Sequence, residues 1–521
     1  MSPSLFTRAP AAQAWSRAHR RALGATASLV VAALVLTACG HQLAPEEMAR
    51  VNAVTGATGQ GGTGVAGPDD AGSGAVDVGG EVQDAAAPAG ADTAVPGAAA
   101  PAPDDSAAPG DAPAGPDATP GDQPPAAEGS GRNSATGGTR AGPCEGFKNQ
   151  TGITGDTIRL ANVSDISGPI PGLFQATQDA TRAYVAYFNA TSDICGRTLV
   201  LDTLDSRSDT AADQAAYQRA CSSAFAVVGS MSAFDSGGAR VAQDCRLPDV
   251  RSSTTSRERN ACTTCLGAQT VNPEVVSLAA LKWFQRKDRA ATRKAAWIHI
   301  RAGSVPDIQA GRQKAAERIG FTTLYSTGID ITEFNYAPFV QQLKSKGVEY
   351  VDFVGAWQQA VRFSQAMKQQ GYTPKYVHYL QPMYTQDLID NATGAVEGAY
   401  LSVNHPLYTD TSAKEMQLYL NWLQQVKPGA RPTTYGVYAW SATRMFVESA
   451  IKLGGKLDRD TLNAELKRIR DWTANGLHAG QSPGTKRTGE CTSMIRVEGG
   501  KFTRVAPARG YLCEGLLDVK L

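Results

Sequence analysis

The residues of this chain that could do chemistry are nine cysteines, six histidines and a few short runs of hydroxyl side chains. Metal-assisted catalysis and phosphate binding depend on fixed spacings. There is no His-Glu-x-x-His pair, and no glycine-rich loop to cradle a phosphate between a strand-like run and a helical stretch. Past residue 143 the histidines are His299, His378, His405 and His478. Asp205 and His405 can be drawn as an acid–base pair, but nothing in the sequence brings them together, and no enzyme activity is expected. The hydroxyl runs are more informative. Ser230-Met231-Ser232-Ala233-Phe234 and Ser252-Ser253-Thr254-Thr255 follow strand-like stretches, as does the loop from Ser164 to Gly172. Hydroxyls and free backbone N–H groups ahead of a helix hold a carboxylate or carbonyl oxygen well. The same serines serve equally as helix caps. Further on, Trp357 follows a strand-like run ending at Gly355, and Gln381, Met383 and Tyr384 follow Leu380. An aromatic beyond a strand end suits an apolar or planar ligand, and packing between lobes would use it as readily.

The cysteines divide into one and eight. Arg8, Arg17, Arg20 and Arg21 precede an apolar stretch from Ala25 to Val35, too short for a permanent membrane span but suited to a signal-peptide core. It ends in Leu36-Thr37-Ala38-Cys39-Gly40, which resembles a lipobox. The expectation is a signal peptide over 1–38, lipidation of Cys39 and a lipid anchor on the extracytoplasmic face of the cell membrane. Eight remaining cysteines, an even number in an exported protein, read as disulfides. Cys144 and Cys195 each precede a strand-like run, and Cys221 and Cys245 each lie near a helix end before the next strand. Cys491 and Cys513 flank a hairpin around Gly499-Gly500, which leaves Cys262 with Cys265. A zinc or thiol-redox site is the sharper reading of Cys-Thr-Thr-Cys. No second such motif and no nearby histidine supports it, so neither metal nor cofactor is expected.

The elements that must position these residues begin late. From Leu43 to about Gly142 the chain is mostly Ala, Gly, Pro and Asp, with too few large apolar residues to offset the entropy of ordering. Residues 39–142 therefore read as a lipidated cysteine and disordered tether. About 380 residues remain, too many for a single core and right for two lobes. The net charge is +1 with scattered basic residues, which excludes a nucleic-acid partner. Strand-like runs (158–163, 199–204, 226–229, 295–300, 322–326, 350–354, 376–380, 397–402) alternate with helical stretches. That is the pattern of an α/β protein with parallel sheets covered on both faces, built twice. The lobes are expected over 143–272 plus 403–475 and over 273–402 plus 476–521. In such sheets ligands bind beyond the carboxyl ends of the strands, at a switch in strand order.

Several stretches resemble the type I periplasmic solute-binding proteins that serve branched-chain amino acid and amide importers. They are Ile153-Thr154-Gly155-Asp156-Thr157-Ile158, Ser167 to Gly172, Val227-Val228-Gly229-Ser230 and Leu247-Pro248-Asp249-Val250. In the second half come Asp330 with Phe334 to Lys344, Glu397-Gly398-Ala399-Tyr400, and Tyr435 to Gly454 with Asp458-Arg459. The resemblance implies two lobes joined by three crossings that close on a ligand. It implies a substrate-binding lipoprotein of an ABC importer, monomeric, delivering a small amino-acid-like, amide or other polar or amphipathic solute to a permease and ATPase. A ligand-sensing lipoprotein without transport is the alternative. The implied ligand contacts are Ser230, Ser232, Ala233, Phe234, Ser253, Thr255, Trp357 and Gln381. Here the family's serine falls on Ala233, its tyrosine near Val305, and the acid expected near Gln381 to Met383 is absent, with Asp387 nearest. These departures point away from a free α-amino acid.

Overall fold

The computed structural model describes residues 140–521. Cys39, the signal segment and nearly all of the tether lie outside the described residues.

In the first lobe strands and helices alternate without exception: β1 (Thr157–Ser164), α1 (Gln175–Thr191), β2 (Thr198–Asp205), α2 (Thr210–Ser223), β3 (Ala226–Val228), α3 (Ser236–Asp244), β4 (Asp249–Thr254), α4 (Arg257–Ala261) and β5 (Cys265–Thr270). Strands β3, β4 and β5 are buried along their whole length. Burial on both faces demands parallel neighbours joined by covering helices. All four pairings in the order β2-β1-β3-β4-β5 are parallel. The order reverses direction between β1 and β3, leaving a crevice beyond their carboxyl ends.

The second lobe repeats the scheme with β6 (Val275–Ser277), α5 (Ala279–Lys287), α6 (Arg289–Thr292), β7 (Ala295–Arg301), α7 (Val305–Arg318), β8 (Thr323–Asp330), α8 (Ala337–Ser345), β9 (Tyr350–Val354), α9 (Trp357–Gln369), β10 (Tyr376–Leu380), α10 (Gln386–Ala392) and β11 (Tyr400–Val403). Its parallel strands run β8-β7-β9-β10-β11, so a second reversal falls between β7 and β9.

The chain then returns to the first lobe as α11 (Lys414–Val426), α12 (Thr434–Leu453) and α13 (Arg459–Leu466). These helices complete the first core, where Met416, Tyr419, Trp440 and Phe446 join Ile158, Leu160, Tyr184 and Phe188. The third crossing leads to β12 (Cys491–Glu498) and β13 (Lys501–Ala506), which extend the second sheet antiparallel. This crossing comes later than residue 476. Trp472 pairs with Gln481, and Lys486 Nζ donates to the carbonyls of Arg259, Asn260 and Cys262. Those are the free carbonyls at the end of α4, where a cation is favoured, so residues 481–487 stay against the first lobe. The chain ends in β14 (Leu512–Cys513), beside β12, and β15 (Leu516–Asp518), beside β6. Disulfides join Cys144 to Cys195, Cys221 to Cys245, Cys262 to Cys265 and Cys491 to Cys513.

Candidate functional site

Both reversals of strand order open onto the same cleft between the lobes. An inner chamber of about 100 Å³ is lined by Ser253 and Thr255 from the end of β4, Gln269 from β5, and Gln381 after β10. An outer one of about 470 Å³ is lined by Phe234 after β3 and Trp357 at the start of α9. The two share Phe174, Ala233, Val305, Gly355, Pro382 and Tyr435 as walls. Phe174 and Tyr435 meet edge to face, with ring centroids 5.0 Å apart.

Of the residues singled out from sequence, Ala233, Ser253, Thr255 and Gln381 line the inner chamber, and Ala233, Phe234 and Trp357 the outer one. Ser230 and Ser232 line neither chamber. Both are fully buried. Ser230 Oγ accepts from the Val163 amide at 2.9 Å and so ties β3 to β1. Ser232 Oγ accepts from the Phe234 amide at 3.2 Å. The backbone donors of this loop are also engaged. Ala233 N–H donates to Asp165 Oδ2 at 2.8 Å, while Asp165 Oδ1 accepts from Ser206 Oγ at 2.6 Å and from the Ser208 amide at 3.0 Å. An internal carboxylate therefore takes the Ala233 donor. Asp205 and His405 hold separate partners, Ser167 for the one and Pro406 and Thr434 for the other.

Sequence reasoning missed Asp165, Phe174, Gln269 and Tyr435. Gln269 was findable, because it ends a strand of the same parallel sheet as Ser253. Ser253 Oγ and Gln269 Oε1 are buried and have no hydrogen-bond partner. A buried polar atom left unpaired costs about 1–3 kcal/mol, so two of them on one chamber wall are an unmet demand for hydrogen bonds.

Charge is arranged around the cleft rather than in it. No ionisable acid or base lines the inner chamber. Those at the outer chamber are paired: Asp387 with Arg431 at 2.8 Å, and Asp179 with Arg182 at 3.0 Å and with Lys427 at 4.0 Å. Behind β4 lies a fully buried cluster in which Arg259 meets Asp213 at 3.0 Å and Asp249 at 2.6 Å, and Arg251 meets Asp235 at 3.1 Å. It joins α2, α3, β4 and α4, and thereby fixes the loops that carry Ala233 and Thr255. Burial there raises the Asp213 carboxyl to about 6 against the pull of both arginines. Among the described residues no cluster of three metal-ligating side chains occurs.

The lobes meet across the cleft. Arg257 reaches Asp307 at 3.2 Å, Arg431 reaches Asp390 at 2.7 Å, and Thr434 Oγ1 donates to the Gln381 carbonyl at 2.9 Å. Gly303 comes so close to the Ala233 carbonyl that a Cβ there would lie 1.8 Å from its oxygen. This is a closed arrangement.

Comparison with known proteins agrees with this geometry. No curated protein matches the sequence. Among solved structures, a fatty acid ABC transporter substrate-binding protein from Thermomonospora curvata superimposes with a TM-score of 0.61 at 16% identity, covering 72% of this chain and 96% of that one. A leucine-binding protein from Thermotoga maritima gives 0.57 at 16% identity, covering 67% and 98%. An ABC transporter solute-binding protein from R. palustris, in complex with 4-hydroxybenzoate, gives 0.57 at 18% identity, covering 70% and 97%. Identities this low establish the fold, two lobes of parallel sheet flanked by helices. A family model described as periplasmic binding protein matches residues 157–501, both lobes and most of the described chain, and the protein belongs to that family.

Proposed function

We propose that this protein is the extracytoplasmic substrate-binding component of an ABC importer, closing its two lobes on one small solute and presenting it to a permease and ATPase. The observation that carries this reading is the inner chamber, where Ser253 Oγ and Gln269 Oε1 stand buried and unpaired at the meeting of the lobes. In this reading Ser253, Thr255, Gln269 and Gln381 hold the polar end of the solute, while Ala233, Phe234 and Trp357 flank the rest. Ligand favours the closed state because only there do both lobes touch it, and such differential affinity is what shifts a two-state balance. The lobes comprise 143–272 with 403–487, and 273–402 with 488–521. Cys39 would tether the chain to the membrane, and C39A would release it to the medium or leave it uncleaved. The test of solute capture is mass spectrometry of small molecules released by denaturing the purified protein. One compound at near-equimolar amount, lost from the S253A/Q269L variant, supports the reading. A protein that carries nothing, and that none of a broad panel of small solutes stabilises against melting, would overturn it.

A further inference from the structure

Resting on the solute-capture reading, we infer that the solute is an uncharged amphipathic molecule, its hydrogen-bonding head in the inner chamber and its elongated apolar body in the outer one. Four observations converge on this class.

The first is charge. An ammonium group in the inner chamber would find no carboxylate among the lining side chains, and a carboxylate would find no arginine or lysine. Removing an ion from water without a partner costs several kcal/mol even after the protein relaxes. The second is the state of the backbone donors. The Ala233 amide, which could have received an anion, is spent on Asp165. That carboxylate's own negative charge stands behind the loop and repels another. The third is the pair of free polar atoms. Ser253 Oγ can donate or accept, and Gln269 Oε1 accepts. A head group that carries both a donor and an acceptor, as a primary amide or an alcohol does, satisfies the two together.

The fourth is shape. An inner chamber of about 100 Å³ holds a head group and little more. It adjoins, across the shared walls Phe174 and Tyr435, the outer chamber of about 470 Å³, whose walls include Leu173, Phe234, Ile331 and Trp357. Clefts for complete small ligands run to about 300–1,000 Å³, so the body must extend into the outer part. The charged side chains there are already matched to one another, so beside its apolar walls the outer chamber offers only neutral polar atoms, among them the unpaired Ser208 Oγ and Gln358 Oε1.

The test uses the full chain, in detergent where it is membrane-bound, after removal of co-purified solute by reversible unfolding. Octanamide, octanoate, octylammonium and leucine are titrated at pH 7 by calorimetry, with acetamide and hexanamide to vary the tail. Octanamide should bind at least tenfold more tightly than the charged probes. Affinity should rise about fourfold for each methylene from acetamide upward, the increment for about 0.8 kcal/mol per buried methylene. S253A and Q269L should each weaken octanamide about tenfold, with the melting temperature of the free protein unchanged. Equal or tighter binding of octanoate, octylammonium or leucine overturns the uncharged class and leaves solute capture standing. Binding that is indifferent to tail length overturns the two-chamber placement. Failure of every probe also rejects the class. Only if the protein additionally releases no compound on denaturation does the solute-capture reading fall with it.

Discussion

Replacing Gly303 with alanine tests closure without touching either core. Gly303 lies in the loop after β7 with φ +48°, and an alanine Cβ there would stand 1.8 Å from Ala233 O and 2.7 Å from Ala233 C. Ordinary contact begins near 3.4 Å, and the obstacle is backbone rather than the tip of a side chain. The lobes would therefore have to part by about 1.6 Å at this point, enough to break the 2.9 Å bond from Thr434 to the Gln381 carbonyl. The left-handed φ costs an alanine about 1–2 kcal/mol. That cost is the same with the lobes open or closed, so it appears in the unfolding free energy and cancels from binding. The clash exists only on closure. If it raises the closed state by about 3 kcal/mol, the binding-competent fraction falls about 100-fold and the apparent Kd rises by the same factor. Octanamide titration followed by Trp357 fluorescence measures the affinity, and small-angle X-ray scattering with and without octanamide measures the compaction. A G303A protein that binds within threefold of the parent and compacts equally would refute the proposed closure.

Removing the Cys221–Cys245 bridge, which closes 24 residues between α2 and the end of α3, should lower the unfolding free energy by about 3 kcal/mol on the loop-entropy estimate. Urea unfolding of C221S/C245S checks this, and a loss below 1 kcal/mol would contradict it. Acid should destabilise the protein partly through His478, whose Nδ1–H donates to the Ala479 carbonyl and whose Nε2 accepts from Ser441. Burial lowers this imidazole to about 4 against 6.5 when unfolded, so its contribution is whole above pH 6.5 and is lost as pH falls toward 4. The amount is of order 3 kcal/mol, and an H478N chain whose stability fell with acid as steeply as the parent's would count against it.

Much of the fold was legible in the sequence because apolar runs and helical stretches alternate so regularly. The run at 350–354 coincides with β9, and that at 376–380 with β10. β4 was not legible as a strand, since Asp249, Arg251 and four hydroxyl or apolar neighbours give no apolar run. Its charged side chains are tolerated only because Asp213, Asp235 and Arg259 arrive from elements distant in sequence. The late third crossing was hidden for a similar reason: it depends on Lys486 finding carbonyls more than two hundred residues earlier. The site was half legible. Strand ends located Trp357 and Gln381 beside the cleft, and the hydroxyl run with the family resemblance located Ser253 and Thr255. What a hydroxyl does there depends on its neighbours, and no sequence signal says that Asp165 takes the Ala233 amide or that Ser230 turns inward to β1.

The discontinuity of the first lobe bears on the order in which the protein is made. Its sheet is complete at Thr270, yet of the helices that cover one face of it only α1 has then been made, and the others begin at Lys414. A chain emerging from its amino end must synthesise six strands of the other lobe before Tyr419, Trp440 and Phe446 can cover Ile158, Leu160 and Phe188. Until then the first sheet has half a core, and contacts so far apart in sequence form slowly. If this chain crosses a membrane as an unfolded thread, such a delay is an advantage. The early half cannot lock into a folded block while the later half is still on the wrong side.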